Sequence, residues 1–283
     1  MLSSVSTTHA GNSETISAVS SPSRYGLFNL LDHRSTYGSG AFPEPFLNDD
    51  SDLEESEFRL DWMQTGATRL QNDEFTAEFE KGFGPVTLEA ELHFERGWAG
   101  GEGVTQGIGN IDLGARVPFF QYVSPSSFFD TTFGAGVEFG IPVHSDVSRA
   151  AEFVPKVFND TKIGDHFTLQ SIVGFSTTFG SQPDFNEKVL EYGFTAGWTF
   201  QHKELPIPGV QQFVPVFELA GEKALNKEEE GANNILGMIG FRANLKAIGP
   251  VQPRVGAGYV FPMNHVAHEE VHNGVVVSFV FEF

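Results

Sequence analysis

The chain has 283 residues and a formal net charge of −20, with no cysteine, 29 phenylalanines and 31 glycines. Without cysteine it forms neither a disulfide scaffold nor a cysteine-bound metal centre, and so acidic a balance argues against a nucleic-acid partner, whose phosphates need lysine and arginine. No apolar run approaches the ~20 residues of a transmembrane helix, so a membrane could be crossed only by strands, and then only by strands closed into a barrel.

Residues 1 to about 24 are rich in Ser, Thr and Ala without periodicity and read as a disordered leader. Its opening, MLSSVSTTHAGNSE, shows neither the basic region nor the apolar run of a secretory signal peptide, which counts against an envelope location. The stretch from Tyr25 to Ser56 holds YGLFNLLDHRSTYGSG and FPEPFLNDDSDLEE. Its apolar residues are too sparse for a core and too many for a linker, so it is expected to dock, as a plug, onto the inner wall of whatever follows. The division is therefore 1–56, leader and docking segment, and 57–283, barrel.

From Glu57 onward apolar residues alternate with small or charged ones, the period of a two-faced strand. Phe58, Leu60 and Trp62 open the series, then Phe75, Ala77 and Phe79, then Val86, Leu88, Ala90, Leu92 and Phe94. Ile111, Leu113, Ala115, Val117 and Phe119 follow, and after them Phe129, Phe133, Ala135, Val137, Phe139 and Ile141. Phe153 to Phe158 alternates poorly, yet it fits between two turns and is counted as a weaker strand. Clearer strands are predicted over Phe167–Phe179, Leu190–Phe200, Phe213–Leu219 and Ile235–Leu245, and through Val255, Ala257, Tyr259 and Phe261. The last, GVVVSFVFEF, puts Val275, Val277, Phe279, Phe281 and Phe283 on one face and Val276, Ser278, Val280 and Glu282 on the other. A terminal Phe preceded by apolar residues at every second position resembles the C-terminal signal of outer-membrane barrels, which the barrel assembly machinery reads; Phe279, Phe281 and Phe283 carry that resemblance.

The fold expected is all-β, a closed antiparallel transmembrane barrel of about twelve strands with a mostly irregular N-terminal extension; an even count keeps both termini in the periplasm. Connections at 81–85, 123–127, 161–165, 203–209 and 247–250 fall in the class of short periplasmic turns. The alternate class, GWAGGEGVTQG, HSDVSRA, SQPDFNE, GEKALNKEEEG and NHVAHEEVHN, is generally longer and more charged, as external loops are. A soluble sandwich or barrel would also alternate, but would place the phenylalanines inside.

The face opposite the apolar series is then the lumen. It collects Arg59, Glu78, Glu80, Glu89, Glu91, Asp112, Arg116, Asp130, Arg242, Lys246 and Arg254, and with them Asp61, His93, Glu95, Glu138, Glu191, Glu218 and Glu282. The basic residues near the closing seam face the glutamates of 78–91, which could set up a transverse field at a constriction. The same residues could instead pair into ion networks that fill the lumen. His265, His268 and His272, beside Glu269 and Glu270, have the chemistry of a weak divalent-metal site or of a solvated loop. GGEGVTQGIG lacks the lysine of a phosphate-binding loop. No serine beside an oriented histidine marks a nucleophile, so no catalytic residue and no cofactor is expected.

The run GIGNIDLGARVPFF, with Gly107, Gly109, Asn110, Asp112, Gly114 and Arg116, resembles a strand that recurs in the meta-pathway phenol-degradation family of outer-membrane proteins. The resemblance implies a channel or transporter, often for hydrophobic or aromatic compounds. The function expected is thus an outer-membrane channel or passive transporter for small solutes, with outer-membrane lipid, the assembly machinery and a small solute as partners. Two alternatives stand beside it: a structural or adhesive barrel with a filled lumen, and an outer-membrane enzyme of lipase or protease type.

Overall fold

The computed structural model describes residues 42–49, 51, 56–68, 70–83, 85–100, 103–126, 128–143, 147–180, 186–227 and 230–283. The expected leader and the docking stretch up to residue 41 lie outside the described residues. The strands are β1 (Ser56–Ala67), β2 (Leu70–Phe83), β3 (Val86–Ala99), β4 (Gly103–Val123), β5 (Phe129–Ile141), β6 (Ala151–Ile163) and β7 (Phe167–Phe179). They continue as β8 (Lys188–Trp198), β9 (Phe200–Gln201), β10 (Val210–Ala224), β11 (Asn233–Leu245), β12 (Gln252–Pro262) and β13 (Asn273–Glu282), and one short helix, α1 (His265–Glu270), precedes β13.

Strands pair antiparallel with their neighbours in sequence, except that β8 and β9 both pair with β10, and β1 pairs with β13 from Glu57↔Glu282 to Gly66↔Asn273, so the sheet closes on itself. The closed wall has twelve strands, because β9 prolongs β8 beyond an interruption. The cause lies in β10: Pro215, next in register after Val216↔Gly197, has no N–H to give, and pairing lapses until Phe213↔Phe200.

The wall is inside out relative to a soluble protein. Phe79 is 47% exposed while Glu80 beside it is 0% exposed, and the same inversion separates Phe281, at 37%, from Glu282, at 0%. The apolar faces read from the alternation, from Phe58 and Trp62 through Leu113 to Phe279, are exposed; the buried side chains include Arg242, Arg254 and Glu218. Water would not tolerate so broad an apolar belt, whereas hydrocarbon requires it, and closure leaves no unpaired sheet edge.

The structure refines four local expectations. Phe153–Phe158 belongs to a full strand of 13 residues; its alternation is masked because Phe158 turns inward onto Ile172, in space left by Gly134. GWAGGEGVTQG is not a long loop: β3 runs to Ala99 and β4 starts at Gly103, so this hairpin rises as strand. β4 carries two β-bulges, between Ile108 and Ile111 and between Pro118 and Phe120, so Phe119 and Phe120 both face outward. NHVAHEEVHN holds α1, capped by Asn264, whose side chain accepts from the Ala267 N–H.

Candidate functional site

The lumen is where the charged faces of the strands converge, and its mid-depth is filled by ion networks. On the β2–β4 side Arg116 is buried between Glu80 and Glu89, with Nη1 2.6 Å from Glu89 Oε2. Gly114, two residues earlier on the same inner face, makes this possible: a Cβ there would stand 1.7 Å from Glu89 Oε1. Asp112, further up that face, lies 3.0 Å from His93 Nε2, and Glu91 lies 3.3 Å from it. His93 Nδ1 is 3.0 Å from Glu74. Asn110 accepts from Ser148 Oγ at 2.6 Å. The G-N-x-D-x-G-x-R spacing of β4 is thus one lumen-facing row in which each residue has a steric or ionic task.

On the seam side Arg59 donates Nε to Asp61 at 2.6 Å and has Nη1 3.4 Å from Glu78. Arg254 contacts Glu282 and Glu44, the latter at 2.5 Å, and Arg242 donates to Ser278 Oγ. Asp130 is buried and accepts from Gln121 at 3.1 Å. Lys246 stands apart: it lies beyond the end of β11, exposed at the periplasmic rim. Among the described residues three groups of carboxylates come within 4.8 Å of one another, Glu44–Glu57–Glu282, Glu78–Glu80–Glu89 and Glu89–Glu91–Glu138. Each is already served by a cation of the chain, Arg254, Arg116 and Lys156 respectively. At the external end the His268 and His272 rings lie with centroids 4.4 Å apart and tilted by 39°, while His265 turns to Glu269 at 3.4 Å.

Across the lumen between these networks lie residues 42–49, with Ser51 beyond them, and the wall grips them at several points. Glu218 Oε2 accepts from the Phe46 N–H at 2.9 Å, and its Oε1 accepts from the N–H groups of Leu47 and Asn48 at 2.8 and 2.7 Å. The Pro45 carbonyl accepts from Arg59 and Arg242, each at 2.8 Å, and the Glu44 carbonyl accepts from Arg242 at 2.9 Å. The Arg242 guanidinium lies 3.7 Å from the centroid of the Phe46 ring, which also packs on Val214, Val216, Met238, Val260 and Val276. Asp49 meets Lys156 at 2.5 Å, and Ser51 donates to Asp160 and accepts from Gln170. Lys156, which also holds Glu138 at 2.7 Å, is not among the residues the alternation singles out. It sits on β6, where the pattern is weakest.

Two larger spaces lie toward the two ends of the barrel. Toward the external end a cavity of about 740 Å³ is lined by Glu74, Glu95, Asp112, Glu138 and Glu152 together with His93 and Arg149. A smaller one of about 260 Å³ reaches down to residues 46–49. Toward the periplasm a cavity of about 980 Å³ is lined by Lys162, His166, His202, Lys203 and Lys246 with Asp165 and Glu204.

A closed antiparallel wall, an apolar belt outside and a buried ionic interior define a transmembrane β-barrel of the bacterial outer-membrane type. One solved structure agrees on that fold. The chain is similar to an outer membrane channel from Pseudomonas putida F1, at 12% identity and a TM-score of 0.55, covering 86% of this chain and 100% of that one. Two further likenesses are the NanC porin (8%, TM-score 0.47, 80% and 98% covered) and the β domain of the Bordetella autotransporter Brka (9%, 0.46, 82% and 100%). No family model matches the chain, and no curated protein does. The likeness of Gly107–Phe120 to the phenol-degradation family therefore rests on its motif.

Proposed function

We propose that the chain is an outer-membrane channel for small solutes whose lumen is guarded by its own residues 42–49. The observation that carries this reading is the placement of that segment across the lumen, between an external and a periplasmic cavity, on contacts that are all non-covalent. A barrel of twelve strands lies between those small enough to be filled by side chains and those wide enough to be open pores, so a strand-wide insert is enough to occlude it. We assign Arg59, Glu78, Glu80, Glu89, Glu91, Asp112, Arg116, Asp130, Arg242 and Arg254 to the wall of the passage and Lys246 to its periplasmic rim; the acidic external cavity, which Asp112 helps to line, favours cations at the entrance. The motif of β4 suggests hydrophobic or aromatic compounds as solutes. Phe279, Phe281 and Phe283, all lipid-facing, are the side chains we assign to recognition by the assembly machinery.

Planar-bilayer recording tests the reading. The unaltered chain is expected to open rarely, and a chain carrying Glu44→Gln and Phe46→Ala, which loosens the segment and leaves the wall intact, to open often and with larger steps. If neither conducts, the lumen is a structural filling and the channel reading fails.

A further inference from the structure

The grip on residues 42–49 has the properties of a ligand site rather than of ordinary core. Recognition runs through the backbone: two consecutive carbonyls, of Glu44 and Pro45, accept from arginines, and three consecutive N–H groups, of Phe46, Leu47 and Asn48, are donated to one carboxylate. Side chains of the segment are read as well: Asn48 Nδ2 donates to Glu218 Oε1 at 2.9 Å and to the Leu219 carbonyl at 3.1 Å, and Asp49 meets Lys156 at 2.5 Å. The Glu44 carboxylate meets Arg254 at 2.5 Å, and the Phe46 ring fills an apolar seat beneath Arg242.

The wall is also shaped to the segment. A Cβ on Gly256 would lie 2.7 Å from Phe46 Cζ, one on Gly197 2.9 Å from Pro43 Cγ, and one on Gly193 1.8 Å from Asn48 Oδ1. Three glycines, two on β8 and one on β12, therefore mark where the segment lies closest. Pro43 and Pro45 complete the match from the other side. Each fixes its φ and brings no N–H, so the segment enters a dry site already extended and with fewer donors to satisfy.

We infer that the inner face of β8 and β10–β12 is a binding site for a short extended peptide with an acid–proline–aromatic core, held in the resting chain by residues 42–49. A peptide of that chemistry supplied in trans competes for it. The inference deepens the reading of a guarded channel and shares with it the premise that the segment can leave.

The test uses the full chain with Glu44→Gln and Phe46→Ala, folded in detergent micelles, and a dye-labelled peptide Phe-Pro-Glu-Pro-Phe-Leu-Asn-Asp followed by fluorescence anisotropy. Saturable binding is expected to the loosened chain and at least about tenfold weaker binding to the unaltered one, whose site is taken. Adding Glu218→Gln to the loosened chain weakens binding by about tenfold or more, because the acceptor of three N–H groups is lost. Should that variant not fold, Gly256→Ala, which narrows the seat of the ring, takes its place with the same expected direction. Any of three results overturns the inference: no saturable binding to a loosened chain that still shows the heat-modifiable mobility of a folded barrel, equal binding of a scrambled peptide, or displacement by benzoate as effective as by the unlabelled peptide. Peptide binding in a chain that never conducts would uphold the site and remove the channel. Conductance without peptide binding would do the reverse.

Discussion

Replacing Gly114 by alanine sets a methyl group against a buried carboxylate, and the consequence can be worked from the geometry. The added Cβ would stand 1.7 Å from Glu89 Oε1 and 2.5 Å from its Cγ, so the Glu89 side chain must leave its position. In leaving it gives up the 2.6 Å bond from Arg116 Nη1 and its place 3.6 Å from Lys156. Arg116 keeps Glu80, and Lys156 keeps Glu138 and Asp49, so no cation is stranded. A lost charged hydrogen bond costs about 1.5–3 kcal/mol, offset by the ~0.5–1 kcal/mol that alanine gains over glycine in a strand. Gly114→Ala should therefore cost about 1–2 kcal/mol. In a chain that already carries Glu89→Ala the methyl has room, and the same substitution should be neutral or stabilising, a coupling of about 1–3 kcal/mol between adjacent sites. Equilibrium urea unfolding in lipid vesicles, followed by the fluorescence of the three tryptophans, measures all four chains. An equal cost for Gly114→Ala in both backgrounds would refute the reasoning.

Arg116→Met should be worse than either, about 3–5 kcal/mol, because it leaves Glu80 and Glu89 buried together without their shared guanidinium; an unchanged urea midpoint would contradict the assignment. Leu113→Arg, in the middle of the lipid belt, should cost about 2–4 kcal/mol, whereas Ile248→Arg, in a periplasmic turn and 73% exposed, should cost no more than about 1 kcal/mol. Similar costs at the two positions would mean that the belt is misplaced. In the loosened chain the reversal potential under a potassium chloride gradient should report cation preference, reduced by Glu95→Gln with Asp112→Asn; anion preference would show that the external cavity does not set selectivity.

Much of the candidate site was visible in the chain as a set of faces and almost none of it as a set of pairs. Alternation placed Arg116, Glu80 and Glu89 on the lumen side, and the same rule placed Arg59, Asp61 and Glu78 there. It did not say that Arg116 lies between the two glutamates, because β2, β3 and β4 bring those three residues together only in the closed register. Lys156 escaped notice for the opposite reason. Its strand carries inward Val154 and Phe158, so the apolar and polar faces do not separate locally. The bulges of β4 are equally silent, since one extra residue shifts parity without leaving a mark in composition.

What the amino-acid order settled by itself is everything that follows from the pleat: strand positions, the apolar outer face, the even number of crossings and the aromatic closing strand. Those are period-two properties, fixed by neighbours two residues apart. Only the folded barrel decided that Glu218 would hold the N–H of Phe46, 172 positions away along the chain, and that Gly193, Gly197 and Gly256 would clear a path for residues 43–48. Contacts of that kind depend on closure of the sheet, which brings strands from both ends of the barrel around one interior that no local pattern describes.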